Sequence, residues 1–224
     1  TCGGCHWQML PYAQQLYYKQ KQVTDNLQRI GKISLPGISP IIGCAETIHY
    51  RNKLEYTFAT KKFIPDDAFR EIKAAGIDPA TAMIQDVAGF HAKGVFDKVV
   101  EIDTCHLQAE PTNAFRKAVA AFAKQHQLSF YDIKMHKGWL RNMQVRMATT
   151  GEIMLNIIFG YEEEEMRIQL LNHLLEQFPG ITTLLYTINR KMNDSLYDLE
   201  PVTFYGKGYI MERLEDFQFK ISPK

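Results

Sequence analysis

The sequence predicts an α+β protein in which helices pack against a largely antiparallel or mixed sheet. Residues 139–148 and 152–159 alternate apolar and polar side chains around a Thr-Thr-Gly turn, which is typical of a hairpin. Residues 111–127 and 162–178 instead repeat apolar side chains at helical spacing. The order of these helices and hairpins favours a layered fold.

The first half of the chain is predicted to begin with a helix. Pro11 suits a first helical turn and Gly31 suits a stop, so residues 11–31 are expected to be helical. Apolar side chains recur between them at helical spacing, at Leu16, Val23, Leu27 and Ile30. Closely spaced prolines and glycines make residues 32–45 a connector. The other elements expected here are a strand at 50–59, a short helix at 66–75, and two short strands at 88–93 and 96–102.

The second half contains the clearer periodicities. Helix 111–127 carries Phe115, Val119 and Phe122 on one face. Helix 162–178 starts with four glutamates, where the helix macrodipole favours negative charge, and it has a leucine-rich face to bury. A strand at 182–188 follows, and the tail 203–221 is predicted to form two strands.

Composition describes an ordinary globular chain. Its 224 residues are 46% hydrophobic and 23% charged, which is enough for one large core. The net charge of +1 provides no overall field for nucleic acid, although a local basic stripe would serve. No apolar run is long enough to span a membrane, and four cysteines are too few for a disulfide framework. A cytoplasmic protein is therefore expected.

The cysteines suit metal chemistry. Cys2 and Cys5 are two residues apart, so the chain can curl around one metal centre, and the glycines between them permit close approach. Cys105 follows a predicted strand and is expected to supply a third ligand from a distant loop. Cys44 lies in an apolar run and is expected to be a small buried residue.

The residues alone leave the identity of the metal open. Zinc would need a fourth ligand, such as His6 or His106, and an iron–sulfur cluster would need a fourth thiolate. A Cys-x-x-Cys pair is also a redox motif, although the thioredoxin-like strand and helix are missing around this one. The start at Thr1 without a methionine and the stop at Lys224 in a strand-like run lead us to expect an interior piece of a longer protein.

Four blocks of residues stand in the same order as in a known family. They are Cys2-Gly3-Gly4-Cys5-His6-Trp7-Gln8, Tyr50–Glu55, Gly89–His91 with Val99–Gln108, and Tyr205-Gly206 with Tyr209-Ile210 leading to Phe219–Pro223. On these blocks the chain resembles, over essentially its whole length, the RumA-type 23S rRNA uracil-5-methyltransferases.

The resemblance implies a domain order and a metal cluster. Residues 1–35 would form a cluster-motif segment with the first helix, and 36–224 a central α+β domain that contacts RNA. An N-terminal TRAM barrel and a C-terminal methyltransferase domain would be absent, and the central domain would pack on them. Cys2, Cys5 and Cys105 would be three ligands of a 4Fe–4S cluster whose first cysteine precedes Thr1, so the cluster is expected to be incomplete or absent here. The cysteines favour 23S rRNA over tRNA, because the relatives acting on tRNA lack the cluster.

The resemblance also implies the chemistry. The family methylates C5 of uridine with S-adenosylmethionine, using a cysteine thiolate that adds to C6 and a base that removes the C5 proton. The nucleophilic cysteine, the base and the cofactor loop would lie beyond Lys224. No catalytic or cofactor-binding residue is therefore expected in this chain, and the chain alone is predicted to be inactive.

RNA contact is the function left to this part of such a protein. Basic groups near aromatic side chains suit phosphate contact and base stacking on single-stranded RNA. The predicted contacts are Arg51, Lys53, Lys134, Lys137, Arg141 and Arg146. Trp139, on an alternating strand, is expected to belong to the core. The alternative is a structural or interaction module, stapled by metal on its cysteines, without RNA contacts of its own.

Overall fold

Seven strands with alternating side chains form one mixed sheet in the computed structural model, which describes residues 2–224. The strands are β1 (Lys53–Lys61), β2 (Ile84–His91), β3 (Val99–Glu101), β4 (Leu140–Met147), β5 (Ile153–Phe159), β6 (Thr183–Ile188) and β7 (Val202–Gly206). Their order is β3-β2-β1-β4-β5-β6-β7, and every neighbouring pair is antiparallel except β5 and β6. The predicted α+β class with a largely antiparallel sheet is confirmed.

The chain divides into two compact units. The larger unit contains the described residues up to Gly4 and then Arg51–Lys224, and the smaller unit is Cys5–Tyr50. The division predicted after residue 35 falls inside the smaller unit.

The smaller unit contains the predicted first helix. This helix, α1, spans Tyr12–Asp25 and continues as a π-helical turn over Asn26–Ile30. The predicted connector has no helix or strand. The prediction that Cys44 is buried is wrong: the residue is exposed in this irregular segment, and its backbone N–H donates to the Tyr12 hydroxyl at 2.7 Å.

Two helices cover one face of the sheet in the larger unit. They are α4 (Thr112–Gln125) and α5 (Glu164–Gln177), and both were predicted from their periodicity. Strand residues that alternate toward them form the main core, in which Trp139 is fully buried as predicted. Other large side chains of this core include Tyr56, Phe58, Phe115, Phe130, Met143, Leu155 and Phe159.

The opposite face of the sheet carries a row of polar side chains that cross-link four strands. The Gln144 amide donates to Glu55 at 2.9 Å, Asn156 donates to Gln144 at 3.5 Å, and Thr187 donates to Asn156 at 3.0 Å. Alternation along each strand therefore separates an apolar face from a hydrogen-bonded one.

Two other helices precede β2. The helix α2 (Asp66–Ala74) was predicted, whereas the single turn α3 (Pro79–Met83) was not. Its signal is present in the sequence, because Asp78 caps the Ala80 N–H at 3.0 Å and Pro79 occupies the first turn.

The tail contains three strands rather than the predicted two. After β7, the strands β8 (Ile210–Leu214) and β9 (Phe217–Ile221) pair only with each other. Gly206 and Gly208 have φ angles of +81° and +78°, so the backbone turns out of the large sheet between β7 and β8.

None of the helices formed by residues 2–224 combines the length and apolar composition that a bilayer crossing requires.

Candidate nucleic-acid interface

The three cysteines predicted to bind metal lie in different surroundings. Cys105 is buried in the main core, and its backbone N–H and carbonyl both bond to the Asn113 amide, at 2.8 and 3.1 Å. Cys2 is half-buried and bridges to Ala92 beside the end of β2, while Cys5 belongs to the smaller unit. Among residues 2–224 no group of three or more His, Cys, Asp or Glu side chains is arranged to hold a metal ion.

Three of the predicted RNA contacts lie at the start of β1 and beside it. Arg51 and Lys53 are exposed, and the Arg51 N–H donates to the Leu107 carbonyl at 2.8 Å. Lys53 pairs across the ladder with Arg146, so these two cations are neighbours. Arg146 is half-buried and donates weakly to the Pro223 carbonyl at 3.5 Å, and burial lowers the pKa of its guanidinium.

Arg141 is not available as an RNA contact, and that prediction is corrected. Only 1% of its side chain is exposed, and its guanidinium lies 3.9 Å from the centre of the Tyr131 ring. It donates hydrogen bonds to the carbonyls of Asn189 (2.7 Å), Lys191 (2.8 Å) and Asn193 (3.1 Å), and to Asp194 Oδ1 (2.6 Å). All of these acceptors belong to the loop 189–194 that follows β6, so Arg141 positions that loop.

Lys134 is also engaged by the protein. Its ammonium pairs with Asp97 at 2.7 Å and lies 5.8 Å from the centre of the Phe96 ring. Half of the lysine side chain stays exposed, but its charge is matched by the carboxylate. The hydrogen bond from Lys134 outweighs the opposing effect of burial and lowers the pKa of Asp97.

A small cavity beside Lys134 is electrically balanced. Its lining includes three aspartates and two cations that pair with aspartates, together with half-buried His91, whose pKa is lowered by burial. The cavity measures about 10 Å³, which is room for one water molecule. The small volume of this cavity and its paired charges both argue against a ligand-binding site here.

A second, open cavity is larger and positively charged. It measures about 420 Å³ and contains no acidic side chain. We call it the basic cavity, and its lining residues are Ser129, Tyr131, His136, Lys137, Gly138, Gly160, Tyr161, Asn189 and Arg190. Lys137 was predicted to contact RNA, whereas Tyr161 and Arg190 were not singled out.

The first wall of the basic cavity is a closed turn. Backbone hydrogen bonds join Asp132 and Lys137 in both directions, at 2.7 and 3.3 Å. The Asp132 carboxylate accepts from the backbone N–H groups of Lys134 (2.8 Å) and Met135 (3.0 Å) and pairs with Lys61 at 3.3 Å. Burial pushes the pKa of Asp132 upward, but these donors outweigh it and hold the pKa below its ordinary value. An ionised Asp132 thus fixes the turn that presents Lys137.

The second wall is the loop that Arg141 holds. The Asn189 N–H donates to the Phe159 carbonyl at 2.7 Å, which anchors the start of the loop to the end of β5. The Asn189 side chain then bridges the loop, donating to Asn193 at 2.9 Å and accepting from the Lys191 N–H at 3.0 Å. Arg190 lies between these anchors and is exposed.

Two glycines let the first wall pack against the end of β5, to which the second wall is anchored. Gly138 has a φ of +130°, and a Cβ there would come within 2.2 Å of the Phe130 carbonyl oxygen. A Cβ on Gly160 would come within 2.2 Å of the Gly138 carbonyl oxygen. Because contacts this short are not tolerated, both positions require glycine, and the end of β5 lies directly against the turn.

The charges of the basic cavity are unmatched. Across residues 2–224, neither Lys137 nor Arg190 has a carboxylate oxygen within 4.0 Å, unlike Lys61 and Lys134. Glu162 follows Tyr161 in the chain, but it pairs with Arg167 at 2.8 Å. The cavity can therefore attract an anion without first breaking an internal ion pair.

Comparison with known proteins places RNA methyltransferases among the relatives. No family model matches the chain. It is 46% identical over 227 residues to an uncharacterized RNA methyltransferase of Bacteroides thetaiotaomicron, covering 100% of this chain and 48% of that protein. It is 38% identical over 226 residues to an uncharacterized RNA methyltransferase of Porphyromonas gingivalis, with coverages of 100% and 48%. The chain thus spans about half the length of the curated relatives it matches.

A solved structure shares the fold. The Pyrococcus abyssi tRNA (uracil-54, C5)-methyltransferase in complex with S-adenosyl-L-homocysteine matches with a TM-score of 0.67 at 24% identity. The match covers 100% of this chain and 45% of that one. At this level of identity the likeness supports the fold alone.

Proposed function

We propose that this chain is the RNA-contacting part of an S-adenosylmethionine-dependent RNA methyltransferase that modifies C5 of uridine. The observation that carries the proposal is the 46% identity, along the whole chain, to a protein named an RNA methyltransferase. The unmatched positive charge of the basic cavity supports an RNA-contacting role, because phosphate contacts dominate the affinity for nucleic acids. The alternative of a module without RNA contacts has no comparable supporting feature.

In this proposal the chain binds RNA and the methyl transfer belongs to the whole protein. S-adenosylmethionine supplies the methyl group when bound, and no residue of this chain is assigned to hold it. The chain's own residues attract the RNA backbone through Lys137 and Arg190 and orient it by the two fixed walls. We expect no methyl transfer from the chain alone, and labelled methyl groups appearing in RNA incubated with it would contradict this.

The RNA substrate has two candidates. Resemblance of the cysteine motif favours 23S rRNA, whereas the structural neighbour from Pyrococcus abyssi is named for tRNA. Binding of this chain to a 23S rRNA fragment and to unmodified tRNA, measured side by side, separates them. Tighter binding of the tRNA would make tRNA the preferred substrate.

Metal binding by Cys2, Cys5 and Cys105 is a separate proposal with its own measurement. Anaerobic reconstitution with iron and sulfide, followed by iron analysis, should show at most an incomplete cluster, and this iron should be lost in Cys105→Ser. Because Cys105 is buried in the core, thermal unfolding of that variant is the control for misfolding. Iron binding equal in wild type and variant would exclude Cys105 as a ligand.

Salt dependence tests the RNA-contacting role. Binding of a 23S rRNA fragment should weaken as salt rises, because contacts to phosphates release counterions. Arg190→Ala should weaken binding and flatten this dependence. Lys117→Ala is the matched control, since it removes one exposed charge from α4, where the lysine is paired with Asp103 at 2.7 Å. An RNA affinity that does not change with salt would favour the module without RNA contacts.

A further inference from the structure

The basic cavity differs from a simple phosphate-binding patch because it contains an exposed aromatic ring. Tyr161 lines the cavity with 43% of its surface exposed, directly after the Gly160 that closes the two walls. Tyr131 also lines it but is only 7% exposed, and the Arg141 guanidinium covers one of its ring faces at 3.9 Å. Of the two tyrosines in this cavity, Tyr161 is therefore the one whose ring is accessible to a ligand.

We propose that the basic cavity is a subsite for one unpaired nucleotide of single-stranded RNA, with its base stacked on Tyr161 and its phosphate held by Lys137 and Arg190. This inference rests on the proposed RNA-contacting function and specifies its ligand. The cavity volume of about 420 Å³ falls in the range of about 300–1,000 Å³ that is usual for sites of small ligands.

The chemistry of the lining favours a nucleotide over a bare anion. Arginine and lysine supply charge for a phosphate, while a tyrosine ring gains little from an inorganic anion but stacks on any base. Exposed Ser129 adds a hydroxyl group at the same cavity. A duplex would not place a base on Tyr161, because paired bases are stacked inside the helix.

The walls are fixed before any ligand arrives. The Asp132 turn, the loop held by Arg141 and the contact of Gly160 with Gly138 are all made within the protein. Little ordering of the backbone is therefore needed when a nucleotide binds, and this lowers the entropic cost of binding.

Substitution of Tyr161 tests the stacking. The probe is a fluorescein-labelled ten-nucleotide single-stranded RNA, compared with the same sequence in a blunt duplex. Tyr161→Ala should weaken binding of the single strand by roughly 5- to 100-fold, which corresponds to the loss of one stacked base. Tyr161→Phe should bind within about two-fold of wild type, because the ring that stacks is kept.

A second tyrosine provides the matched control. Tyr205 on β7 is 50% exposed and does not line the cavity, so Tyr205→Ala should leave the affinity for the single strand unchanged. The double variant Lys137→Ala/Arg190→Ala should lower the slope of log affinity against log salt by about 0.7, the value for the one phosphate that is no longer neutralised. Circular dichroism and thermal melting of each variant confirm that it is folded.

The binding results distinguish the nucleotide subsite from the more general RNA-contacting function. If the wild type binds RNA but Tyr161→Ala binds the single strand equally well, the nucleotide subsite is wrong and the RNA-contacting role stands. Equal binding of duplex and single strand would also overturn the subsite. If the folded wild type binds neither the 23S rRNA fragment nor the ten-nucleotide probe, both proposals fail.

Discussion

Arg141 is a buried cation whose function is to hold a loop. Its four acceptors lie between 48 and 53 residues further along the chain, in the loop that carries exposed Arg190. Lys137, only four positions earlier, is exposed and has no acidic partner within the described residues. The sequence predicted one role for both cations, because residue type and spacing do not reveal which side chain meets a distant loop. The sequence predicted Lys137 as an RNA contact, because it is a charged residue beside a turn. Arg190 and Tyr161 each follow the end of a strand, and only the fold shows that they line the same cavity as Lys137.

Removal of the Arg141 guanidinium should destabilise the larger unit. Arg141→Met is expected to lower the free energy of unfolding by about 3 kcal/mol, because it strips buried carbonyls of charge-assisted hydrogen bonds. Urea denaturation measures the loss. Arg141→Lys should recover only part of it, since an ammonium lacks the planar fork that reaches several acceptors. Equal stability of Arg141→Met and wild type would show that the loop does not depend on this side chain.

Because of Asp132, the free energy of unfolding should depend on pH under acid conditions. Its pKa in the folded protein is held below the ordinary value of 3.8, so its stabilising contribution is complete above that value and is lost as pH falls through the lower, folded pKa. The stability difference between wild type and Asp132→Asn should therefore be constant near neutral pH and shrink under acid conditions. Unfolding measured at a series of pH values checks this. A difference that grows as pH falls would contradict the assignment.

Helices and strands were predicted where their side chains repeat regularly. Helix α4, helix α5 and the β4–β5 hairpin follow from apolar periodicity, since each packs apolar side chains of one face into the main core. The parallel pairing of β5 with β6 did not follow, because pairing direction depends on where α5 returns the chain. The third strand of the tail was also missed, as the turn between β7 and β8 depends on backbone angles that only glycine reaches readily.

The junction between the β5 end and the Asp132 turn should not accept a side chain. Gly160→Ala is expected to destabilise the protein by about 1–3 kcal/mol and to weaken RNA binding, because the new methyl group forces the cavity walls apart. Gly180→Ala is the matched control: a Cβ there meets no atom within 4 Å, and a change within about 0.5 kcal/mol is expected. Denaturation and RNA binding of both variants provide the comparison. If the two glycine substitutions had equal effects, the close approach would not matter.

Across the whole molecule, the buried apolar side chains are concentrated in the larger unit. They extend from Leu54 to Ile210, whereas α1 of the smaller unit contains no buried residue. The sequence predicted α1 from its apolar spacing, yet Val23 and Ile30 are 50% and 77% exposed. Periodicity thus predicted the helix correctly but could not say whether its apolar face is covered.

Hydrogen exchange should reveal this uneven distribution of burial. Amides of β4 and β5 are expected to exchange slowest, because both strands are buried and paired on two sides. Amides of α1 should exchange much faster, since a 14-residue helix without buried side chains is marginally stable in water. Mass spectrometry of peptides from the intact chain measures both. Protection of α1 equal to that of β5 would show that burial does not govern exchange here.

The pairing of β1 with β4 has a consequence for how the protein is made. Glu55 and Gln144 are hydrogen-bonded partners separated by 89 residues, so β1 leaves the ribosome long before its central neighbour exists. Long-range strand pairing is slow, because loop closure must precede the contacts that reward it. Until β4 is synthesised, one edge of β1 stays open to pairing with other chains. Folding yield should therefore depend on how well that early strand is shielded during translation.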